Sequence, residues 1–320
     1  MTFTVLATDR IAAEGLAVLH GDDRFEVVHI DDSSSESFGA ALSSAHALIV
    51  RSATTVGGNM MDAASNLKVV GRAGVGIDNV EMEAASARGI AVYNAPGGNT
   101  IAAAEMTMAL MLTLIRKIPA AEQSVRQGLW DRAAFKGTQL RGRTLGLIGA
   151  GRIGGEVAKR CRAFDMDCIV YDPYLTQDRA DELGVLLVEL NTVLEDADVI
   201  SIHVPLNDET RGLVGDDALG RMKRGAIVIN ASRGGVINEV SLARALHDGS
   251  VAGAALDVFE VEPLRDDSPL REAPNLVLTP HLAGSTAEAQ IEVAREVAAH
   301  IMRNLGDGDA SGALNAAQLR

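Results

Sequence analysis

Residues 144–172 read TLGLIGAGRIGGEVAKRCRAFDMDCIVYD, and their pattern is the strongest indication of the fold. Its apolar start predicts a buried parallel strand, and residues 152–164 predict the helix that follows. Between them lie three glycines with the spacing G-x-G-x-x-G: Gly149, Gly151 and Gly154. Such glycines allow a tight turn, a close approach of a pyrophosphate to the backbone, and close packing of helix on strand. The stretch therefore predicts a dinucleotide site, with Arg152 and Ile153 at the helix end that faces the phosphates.

The residue that ends the next predicted strand is acidic. Asp172 follows the last glycine at close to the ~20 residues expected for a carboxylate that binds the adenosine ribose. Pro173 and Tyr174 come directly after it, so no arginine follows that could balance a ribose 2′-phosphate. The sequence therefore favours NAD over NADP as the cofactor.

The composition of the chain indicates which partners, ligands and cysteine chemistry to expect. The chain has 320 residues, enough for two domains, and its formal net charge is −14. Because such a chain repels phosphate backbones, we expect no nucleic-acid partner, and an anionic substrate would need a local basic pocket. The two cysteines, Cys161 and Cys168, are too few for a disulfide framework or a zinc site. We expect reduced, packed thiols and no metal.

The sequence shows no recognisable targeting or membrane segment. Its start, MTFTVLATDR, lacks the basic and apolar regions of a signal peptide. The most apolar segment, residues 101–118, contains Glu105, Arg116 and Lys117 and falls short of a span of about 20 apolar residues. We interpret it as a buried helix between domains and expect a cytoplasmic protein without a membrane partner.

Short apolar runs alternate with helical patterns, which is typical of parallel sheets with helices on both faces. The predicted strands are residues 4–7, 25–30, 47–51, 68–71 and 90–93, then 145–148, 168–172, 185–188, 198–204, 226–231, 254–258 and 276–279. The closing helix, 286–305, has no strand of its own. We predict an α/β fold with two doubly wound parallel sheets. A Rossmann domain, 99–284, would be inserted into a flavodoxin-like substrate domain formed by 1–98 and 285–320.

Local patterns add further expectations. Three residues are candidate helix caps: Asn99 or Thr100 for the helix 101–118, and Ser285 for the closing helix. Residues 120–142 are polar and predicted to be irregular. Trp130 and Phe135 in that stretch either anchor an interface or cover the edge of a core. The residues after Leu305 are expected to be frayed.

Three ionisable residues follow predicted strands in succession. Arg233 comes after AIVINAS, Glu262 after AALDVFEV and His281 after NLVLTP. Ligands of open α/β sheets bind at the carboxyl ends of the strands, so these side chains are expected at the nicotinamide. His203, which also ends a predicted strand, is expected to line the cofactor site.

The three residue types suit hydride transfer to a 2-keto acid. A guanidinium grips the carboxylate and polarises the carbonyl, and an imidazole exchanges the proton of the resulting hydroxyl. A carboxylate beside the imidazole selects one tautomer and favours the protonated ring. Each residue also has a structural interpretation: His281 as a core or capping residue, Glu262 as a solvated side chain with Glu260 as a rival, and Arg233 as a partner of Glu239.

Longer motifs carry a family resemblance between residue 51 and about residue 292. They are VRSATTV, GRAGVGIDNV, NAPGGNTIAAAEMTMALML, GRTLGLIGAGRIG, YDPY, NASRGGVINE, GAALDVFEVEP and TPHLAGSTAEAQ. With these motifs the chain resembles the D-isomer-specific 2-hydroxyacid dehydrogenases, and within them the phosphoglycerate dehydrogenase branch. The resemblance assigns the catalytic roles to Arg233, Glu262 and His281, with the Glu-Pro pair favouring Glu262 over Glu260.

The resemblance also implies binding residues. Asp257 matches the residue at the nicotinamide carboxamide, Thr210 one near the cofactor phosphates and Thr100 one near the nicotinamide. Pro205 and Ala231 are expected at the cofactor as well. For the substrate, the resemblance implies the backbone of Val75 and Gly76 together with Arg51 and Arg72. Arg132 or Lys136 would add positive charge across the interface of a homodimer or a higher homo-oligomer; ordinary salt bridging explains those two residues equally well.

The resemblance implies an NAD-dependent dehydrogenase of a small anionic 2-hydroxy or 2-keto acid, with 3-phosphoglycerate as the leading substrate. A glyoxylate or hydroxypyruvate reductase is the alternative, and an NAD-sensing corepressor is a remote one. Four features depart from the family pattern: TPHLAGST stands where His-Leu-Gly-Ala-Ser-Thr is commoner, and the other three are Ser232, Asn238 and Asp165. The chain ends soon after His281, so we expect a short form without the C-terminal regulatory domain of longer relatives.

Overall fold

The computed structural model describes residues 2–319, which form two compact units. One is Met1–Thr100 with Gly284–Arg320, and the other is Ile101–Ala283. The strands are β1 Phe3–Ala7, β2 Phe25–His29, β3 Ala47–Val50, β4 Val69–Arg72, β5 Ala91–Asn94, β6 Thr144–Ile148, β7 Asp167–Tyr171, β8 Leu186–Leu187, β9 Val199–Ile202, β10 Ile227–Asn230, β11 Gly253–Leu256 and β12 Leu276–Leu278. The helices are α1 Ala17–His20, α2 Glu36–Leu42, α3 Gly58–Asp62, α4 Met82–Ala87, α5 Thr100–Ile115, α6 Ile118–Arg126, α7 Arg152–Ala163, α8 Gln177–Leu183, α9 Leu190–Asp196, α10 Asp216–Arg221, α11 Glu239–Asp248 and α12 Ala287–Ile301.

The first unit contains a five-stranded parallel sheet in the order β2-β1-β3-β4-β5, which is the flavodoxin-like order. Neighbouring residues of one strand face opposite sides, so Val5 packs in the core under α1 and α12 while Leu6 packs in the core under α2, α3 and α4. Helix α12 lies very close to β4 at Gly71. A Cβ at this glycine would come within 2.2 Å of Cγ1 of Val297, so the close packing requires glycine.

The second unit contains a seven-stranded parallel sheet in the order β12-β11-β10-β9-β6-β7-β8. Counted from β6, this is the Rossmann order with one additional strand. Leu147 faces the core shared with α5, α7 and α8, and Ile148 faces the core shared with α9, α10 and α11. The predicted α/β class with two doubly wound parallel sheets is confirmed.

The buried helix predicted for residues 101–118 is present as α5, but it ends before the apolar segment does. Helix α5 ends at Ile115, Lys117 adopts a left-handed φ of 53°, and α6 begins with Pro119 in its first turn. Proline fits a first turn because the N–H it lacks has no partner there. The predicted irregularity of residues 120–142 is accordingly wrong as far as Arg126. Within residues 2–319 no helix combines the length and the apolar character that crossing a membrane requires.

The helix caps also differ from the prediction. The buried Oδ1 of Asn99 and Oγ1 of Thr100 have no hydrogen-bond partner among residues 2–319, so neither side chain caps α5. Thr286, not Ser285, caps α12: its extended backbone lets the hydroxyl accept a hydrogen bond from the N–H of Ala289 at 3.1 Å. Asp165 turns the chain after α7 with a φ of 57°, a conformation in which aspartate is tolerated better than most residues.

The segment after Leu305 is held on the first sheet, so the expected fraying is wrong. The Leu314 N–H donates to the Val92 carbonyl at 2.8 Å, and the Val92 N–H donates to Oδ1 of Asn315 at 3.0 Å. The Asn315 amide donates in turn to the Ile90 carbonyl at 2.9 Å. The side chain of Asn315 thus acts as an additional partner for the edge strand β5, a pairing that no local pattern reveals.

Candidate active site

The glycine loop joins β6 to α7 at the carboxyl edge of the second sheet. Gly149 has a φ of 92°, and a Cβ there would lie 2.6 Å from the carbonyl oxygen of His203. A Cβ at Gly154 would lie 2.4 Å from the carbonyl oxygen of Gly149, so α7 packs directly on the turn. At Gly151, by contrast, a Cβ would meet no heavy atom within 4 Å. The loop therefore leaves space beside the first N–H groups of α7, which suits a pyrophosphate.

Asp172 lies directly after β7, beside this loop. Its Oδ2 accepts a hydrogen bond from the N–H of Ala150, and its Oδ1 accepts one from the N–H of Tyr174, both at 2.9 Å. These bonds fix the carboxylate next to the turn. Arg152 and Ile153 are the first two residues of α7. The residues predicted around the dinucleotide pyrophosphate and ribose thus lie together, and their arrangement fits that group.

His203 follows β9 and contacts a residue that the sequence did not single out. Its Nε2 lies 2.9 Å from Oγ of Ser201, and burial lowers the pKa of His203 to about 4. The imidazole is therefore neutral at pH 7. Thr210 donates its hydroxyl hydrogen to the carbonyl of Pro205 at 2.6 Å, which places these two predicted residues in one turn beyond the same strand. Ala231 is buried directly after β10.

Asp257, directly after β11, is fully buried and serves as an acceptor for the next loop of the site. Its Oδ1 accepts hydrogen bonds from the Thr279 hydroxyl at 2.6 Å and from the Leu282 N–H at 2.8 Å. Its Oδ2 accepts one from the Ala283 N–H at 2.8 Å. Its carboxylate thus holds the loop that carries His281. The contact with a nicotinamide carboxamide stays a prediction.

The structure brings His281 and Glu262 together. Nδ1 of His281 lies 2.7 Å from Oε2 of Glu262, and the other carboxylate oxygen accepts a hydrogen bond from the Phe259 N–H at 3.1 Å. Burial of Glu262 opposes its ionisation. The hydrogen bond and charge of His281, the Phe259 N–H and the charge of Arg233 outweigh that effect and hold the pKa of Glu262 below its ordinary value. The carboxylate is therefore ionised at neutral pH.

Glu260, the rival of Glu262, faces a different residue. Its N–H donates to Oε1 of Glu239 at 2.6 Å, and its own Oε1 accepts the N–H of Glu239 at 3.3 Å. Burial, with repulsion from Glu260 and Glu262, raises the pKa of Glu239 above its ordinary value. This reciprocal pair joins the start of α11 to the loop before Glu262. From the sequence, Glu239 is expected only as a partner of Arg233.

Arg233 lies on a turn that touches the Glu262 loop through backbone atoms. A Cβ at Gly234 would lie 1.7 Å from the carbonyl oxygen of Phe259, so only glycine allows this approach. The side-chain amide of Asn230 donates to the carbonyl of Arg233 at 2.9 Å. Oδ1 of the same Asn230 side chain accepts a hydrogen bond from the Ser232 hydroxyl at 2.8 Å. Serine at this position of the family pattern therefore reinforces the turn.

The residues predicted for the substrate in the first unit share the carboxyl edge of its sheet. Arg51 follows β3, and Arg72 ends β4. The guanidinium of Arg72 folds over the next turn, because a Cβ at Gly74 would lie 1.7 Å from its Nη1. The carbonyl of Val75 accepts a hydrogen bond from the Asn94 amide at 2.6 Å, which holds the backbone that runs on to Gly76.

The remaining predicted residues lie elsewhere. Thr100 begins α5 with its hydroxyl buried, and Arg132 is exposed on the irregular segment after α6. Lys136 lines a cavity of about 630 Å³ with Lys117, Arg143 and Asp198 at the amino-terminal edge of the second sheet. Within one chain, Lys136 therefore lies at the edge opposite to His281. Trp130 is 81 % exposed and covers no core edge, whereas Phe135 is partly buried.

Comparison with known proteins agrees with this arrangement. A family model described as D-isomer specific 2-hydroxyacid dehydrogenase, NAD binding domain, matches residues 108–283. The chain is 51% identical over 262 residues to a D-3-phosphoglycerate dehydrogenase of Archaeoglobus fulgidus, covering 82% of this chain and 50% of the relative. A D-3-phosphoglycerate dehydrogenase of Bacillus subtilis is 45% identical over 301 residues, covering 94% of this chain and 57% of the relative. The chain thus spans about half the length of the curated relatives it matches.

Solved structures are similar over nearly the whole chain. The TT0316 protein from Thermus thermophilus superposes with a TM-score of 0.87 at 33% identity, covering 98% of this chain and 100% of that one. An NADPH-dependent glyoxylate/hydroxypyruvate reductase from Sinorhizobium meliloti, in complex with NADP and malonate, superposes with a TM-score of 0.82 at 31% identity, covering 98% and 96%. The chain belongs to the D-isomer specific 2-hydroxyacid dehydrogenase family, and residues 108–283 lie in its NAD-binding domain.

Proposed function

We propose that this protein is an NAD-dependent dehydrogenase that transfers a hydride between the nicotinamide and C2 of a small 2-hydroxy acid. The observation that carries the proposal is the 2.7 Å contact between His281 and Glu262 on the sheet edge that also bears the glycine loop. An imidazole oriented by an ionised carboxylate is the acid–base pair that such a reaction needs.

Each residue of the site has a distinct part in the proposed reaction. The bound cofactor supplies or accepts the hydride. Nε2 of His281 takes the hydroxyl proton in the oxidation and returns it in the reduction, while Glu262 holds Nδ1 and stabilises the protonated ring. Arg233 binds the substrate carboxylate and polarises the C2 oxygen through its planar guanidinium.

Among substrates we propose 3-phosphoglycerate, because the relatives at 45% and 51% identity are named D-3-phosphoglycerate dehydrogenase. The glyoxylate/hydroxypyruvate reductase among the similar structures supports the second candidate. Turnover of 3-phosphoglycerate, D-glycerate and D-lactate with NAD distinguishes them. The proposal expects the highest kcat/KM for the phosphorylated acid. Higher values for unphosphorylated acids would support the reductase, and NAD binding without any turnover would support a sensor.

The role of His281 is tested with His281→Ala. We expect kcat to fall by roughly 100-fold or more, since general acid–base catalysis contributes at least that much. NAD affinity, measured by isothermal titration calorimetry, should be retained. Loss of NAD binding in the variant would instead make His281 a structural residue.

Cofactor preference is proposed to depend on Asp172, because its fixed carboxylate would repel a ribose 2′-phosphate. Asp172→Ala should weaken NAD binding and raise the ratio of NADP to NAD turnover. Asp178→Ala, which removes an exposed carboxylate of α8, is the control. An unchanged cofactor preference in the first variant would contradict the role.

We also propose that the protein forms a homodimer or a higher homo-oligomer. Large apolar side chains are exposed around α6: Ile118, Val125, Leu129 and Trp130. Sedimentation velocity should show an oligomer that Trp130→Glu weakens. A monomeric wild type would contradict this proposal.

A further inference from the structure

The first unit contains a strained pair of residues at the end of β1. Asp9 and Arg10 are consecutive and both left-handed, with φ values of 59° and 54°. Such conformations cost free energy for residues other than glycine, and they persist where surrounding contacts require them. The contacts made by the Asp9 side chain supply that requirement.

The Asp9 carboxylate binds the loop of residues 51–54, which follows the neighbouring strand β3. Oδ2 accepts hydrogen bonds from the Arg51 N–H at 2.8 Å and from the Thr54 N–H at 3.1 Å. Oδ1 accepts one from the Thr54 hydroxyl at 2.6 Å. Both carboxylate oxygens are therefore used on the two ends of this 51–54 loop.

Asn79 binds the same two residues through their carbonyl groups. Its Nδ2 donates to the carbonyl of Arg51 and to the carbonyl of Thr54, each at 2.6 Å. The N–H and the C=O of both terminal residues of the loop are thus bonded by two side chains that lie 42 to 45 and 25 to 28 residues away in sequence. Thr54 is buried, whereas Ser52 and Ala53 between the ends are exposed.

In this arrangement the guanidinium of Arg51 is available to bind an anion. Across residues 2–319 no hydrogen bond or ion pair involves that guanidinium, although its backbone is bonded on both sides. An anion that approaches a chain of net charge −14 needs such a cation, and a braced loop presents it without a large loss of backbone entropy on binding.

We propose that Asp9 and Asn79 are positioning residues that hold Arg51 for the second anionic group of the substrate, so that they determine specificity for a 2-hydroxy acid bearing a phosphate. This proposal rests on the proposed function and extends it to residues that need not touch the substrate. Asp9 and Asn79 act through Arg51. Loss of either side chain therefore lowers the affinity for the phosphorylated acid and leaves proton transfer at His281 unchanged.

The test compares Asp9→Ala and Asn79→Ala with wild type on 3-phosphoglycerate and on unphosphorylated D-glycerate. We expect KM for 3-phosphoglycerate to rise by roughly tenfold or more, because positioning of a charged group is lost. The KM for D-glycerate, kcat and NAD affinity should stay within about twofold. Thr54→Val should give a smaller rise, and Thr54→Ser, which keeps the hydroxyl, should restore the wild-type value.

Two controls separate this proposal from a general loss of structure. Asp31→Ala removes a carboxylate that bonds the Arg10 N–H at 3.2 Å without contacting the 51–54 loop, and it should leave both KM values unchanged. In an Arg51→Ala background, Asp9→Ala should produce no further rise in KM for 3-phosphoglycerate. If Asp9→Ala does not fold, Asn79→Ala and Thr54→Val provide the same comparison.

The possible outcomes are distinct. Three results would overturn the positioning role alone. They are equal rises in KM for both acids, additive effects of Asp9→Ala and Arg51→Ala, and unchanged kinetics in all variants of Asp9, Asn79 and Thr54. A wild type that shows no preference for the phosphorylated acid would overturn both this proposal and the proposed substrate.

Discussion

Nδ1 of His281 lies 2.7 Å from Oε2 of Glu262, and both residues lie on loops that follow neighbouring strands of the second sheet. His281 has a φ of 53°, and its N–H donates to the carbonyl of Asp257 at 2.9 Å. The histidine is therefore fixed through its backbone and its ring at once. Its orientation therefore depends on the loop that follows β11 as well as on its own loop, where the Thr279 carbonyl accepts the same N–H at 3.0 Å.

Replacement of Glu262 by glutamine should remove the charge of this pair while keeping its shape. We expect kcat to fall by roughly 10- to 100-fold, since the protonated imidazole loses its stabilising partner. Steady-state kinetics measure the effect, with Glu195→Gln, an exposed carboxylate of α9, as the control. A variant with wild-type kcat would show that Glu262 has no part in proton transfer.

The same pair should make the stability of the protein depend on acid pH. The pKa of Glu262 is below its ordinary value in the folded state, so its stabilising contribution is complete above the ordinary glutamate pKa. It is lost as pH falls through the lower folded-state value. Denaturant titrations of wild type and Glu262→Gln should therefore give free energies of unfolding that converge as the solution becomes acidic. A difference that stays constant down to acid pH would contradict the ion pair.

Gly234 should tolerate no side chain. Because a Cβ there would lie 1.7 Å from the carbonyl oxygen of Phe259, Gly234→Ala must separate the Arg233 turn from the Glu262 loop. We expect a loss of more than about 2 kcal/mol in the free energy of unfolding and a sharp loss of activity. Gly220→Ala is the matched control, since a Cβ at that helical position meets no atom within 4 Å and alanine favours helix by up to about 1 kcal/mol. Equal behaviour of the two variants would refute the close approach.

His203 should make the protein less stable in mild acid. Its pKa of about 4 lies below the ordinary value near 6.5, so between these values the unfolded chain binds a proton that the folded chain does not. The free energy of unfolding should fall as pH drops through this range, by up to about 3 kcal/mol. His203→Gln should remove that part of the slope, and His247→Gln, an exposed histidine of α11, should keep it. A wild-type slope in His203→Gln would show that another group is responsible.

The two thiols should be unreactive in the native protein. Burial raises the pKa of Cys161 to about 12 and that of Cys168 to about 11, and both cysteines are free and buried. Their thiolate fraction at pH 8 is therefore small, and reagents reach them poorly. Iodoacetamide labelling followed by mass spectrometry should modify neither cysteine until denaturant is added. Rapid labelling of native protein would contradict this expectation.

Much of the fold could be predicted because its signals are local. The run at 145–148, the glycine spacing and the acidic Asp172 lie within 29 consecutive residues, and each is dictated by the backbone or by the ligand. The residues of the candidate site could be predicted for a related reason: each lies on a loop that follows a strand, and parallel strands bring their carboxyl ends to one edge of the sheet. Element boundaries were less certain, as the left-handed Lys117 and the Thr286 cap show.

Local patterns were enough to predict the alternation of strands and helices, the parallel sheets and the chemical types at their carboxyl edges, because periodicity and glycine spacing act over short distances. The three-dimensional fold was needed to show that Glu262 contacts Nδ1 of His281, that Glu239 bonds Glu260, and that Asp9 and Asn79 hold the backbone of Arg51. Each of those contacts joins a side chain to a side chain or a backbone group on another segment of the chain. The partner of each side chain depends on which strands and loops become neighbours in space, and hydrophobic periodicity does not predict those neighbours.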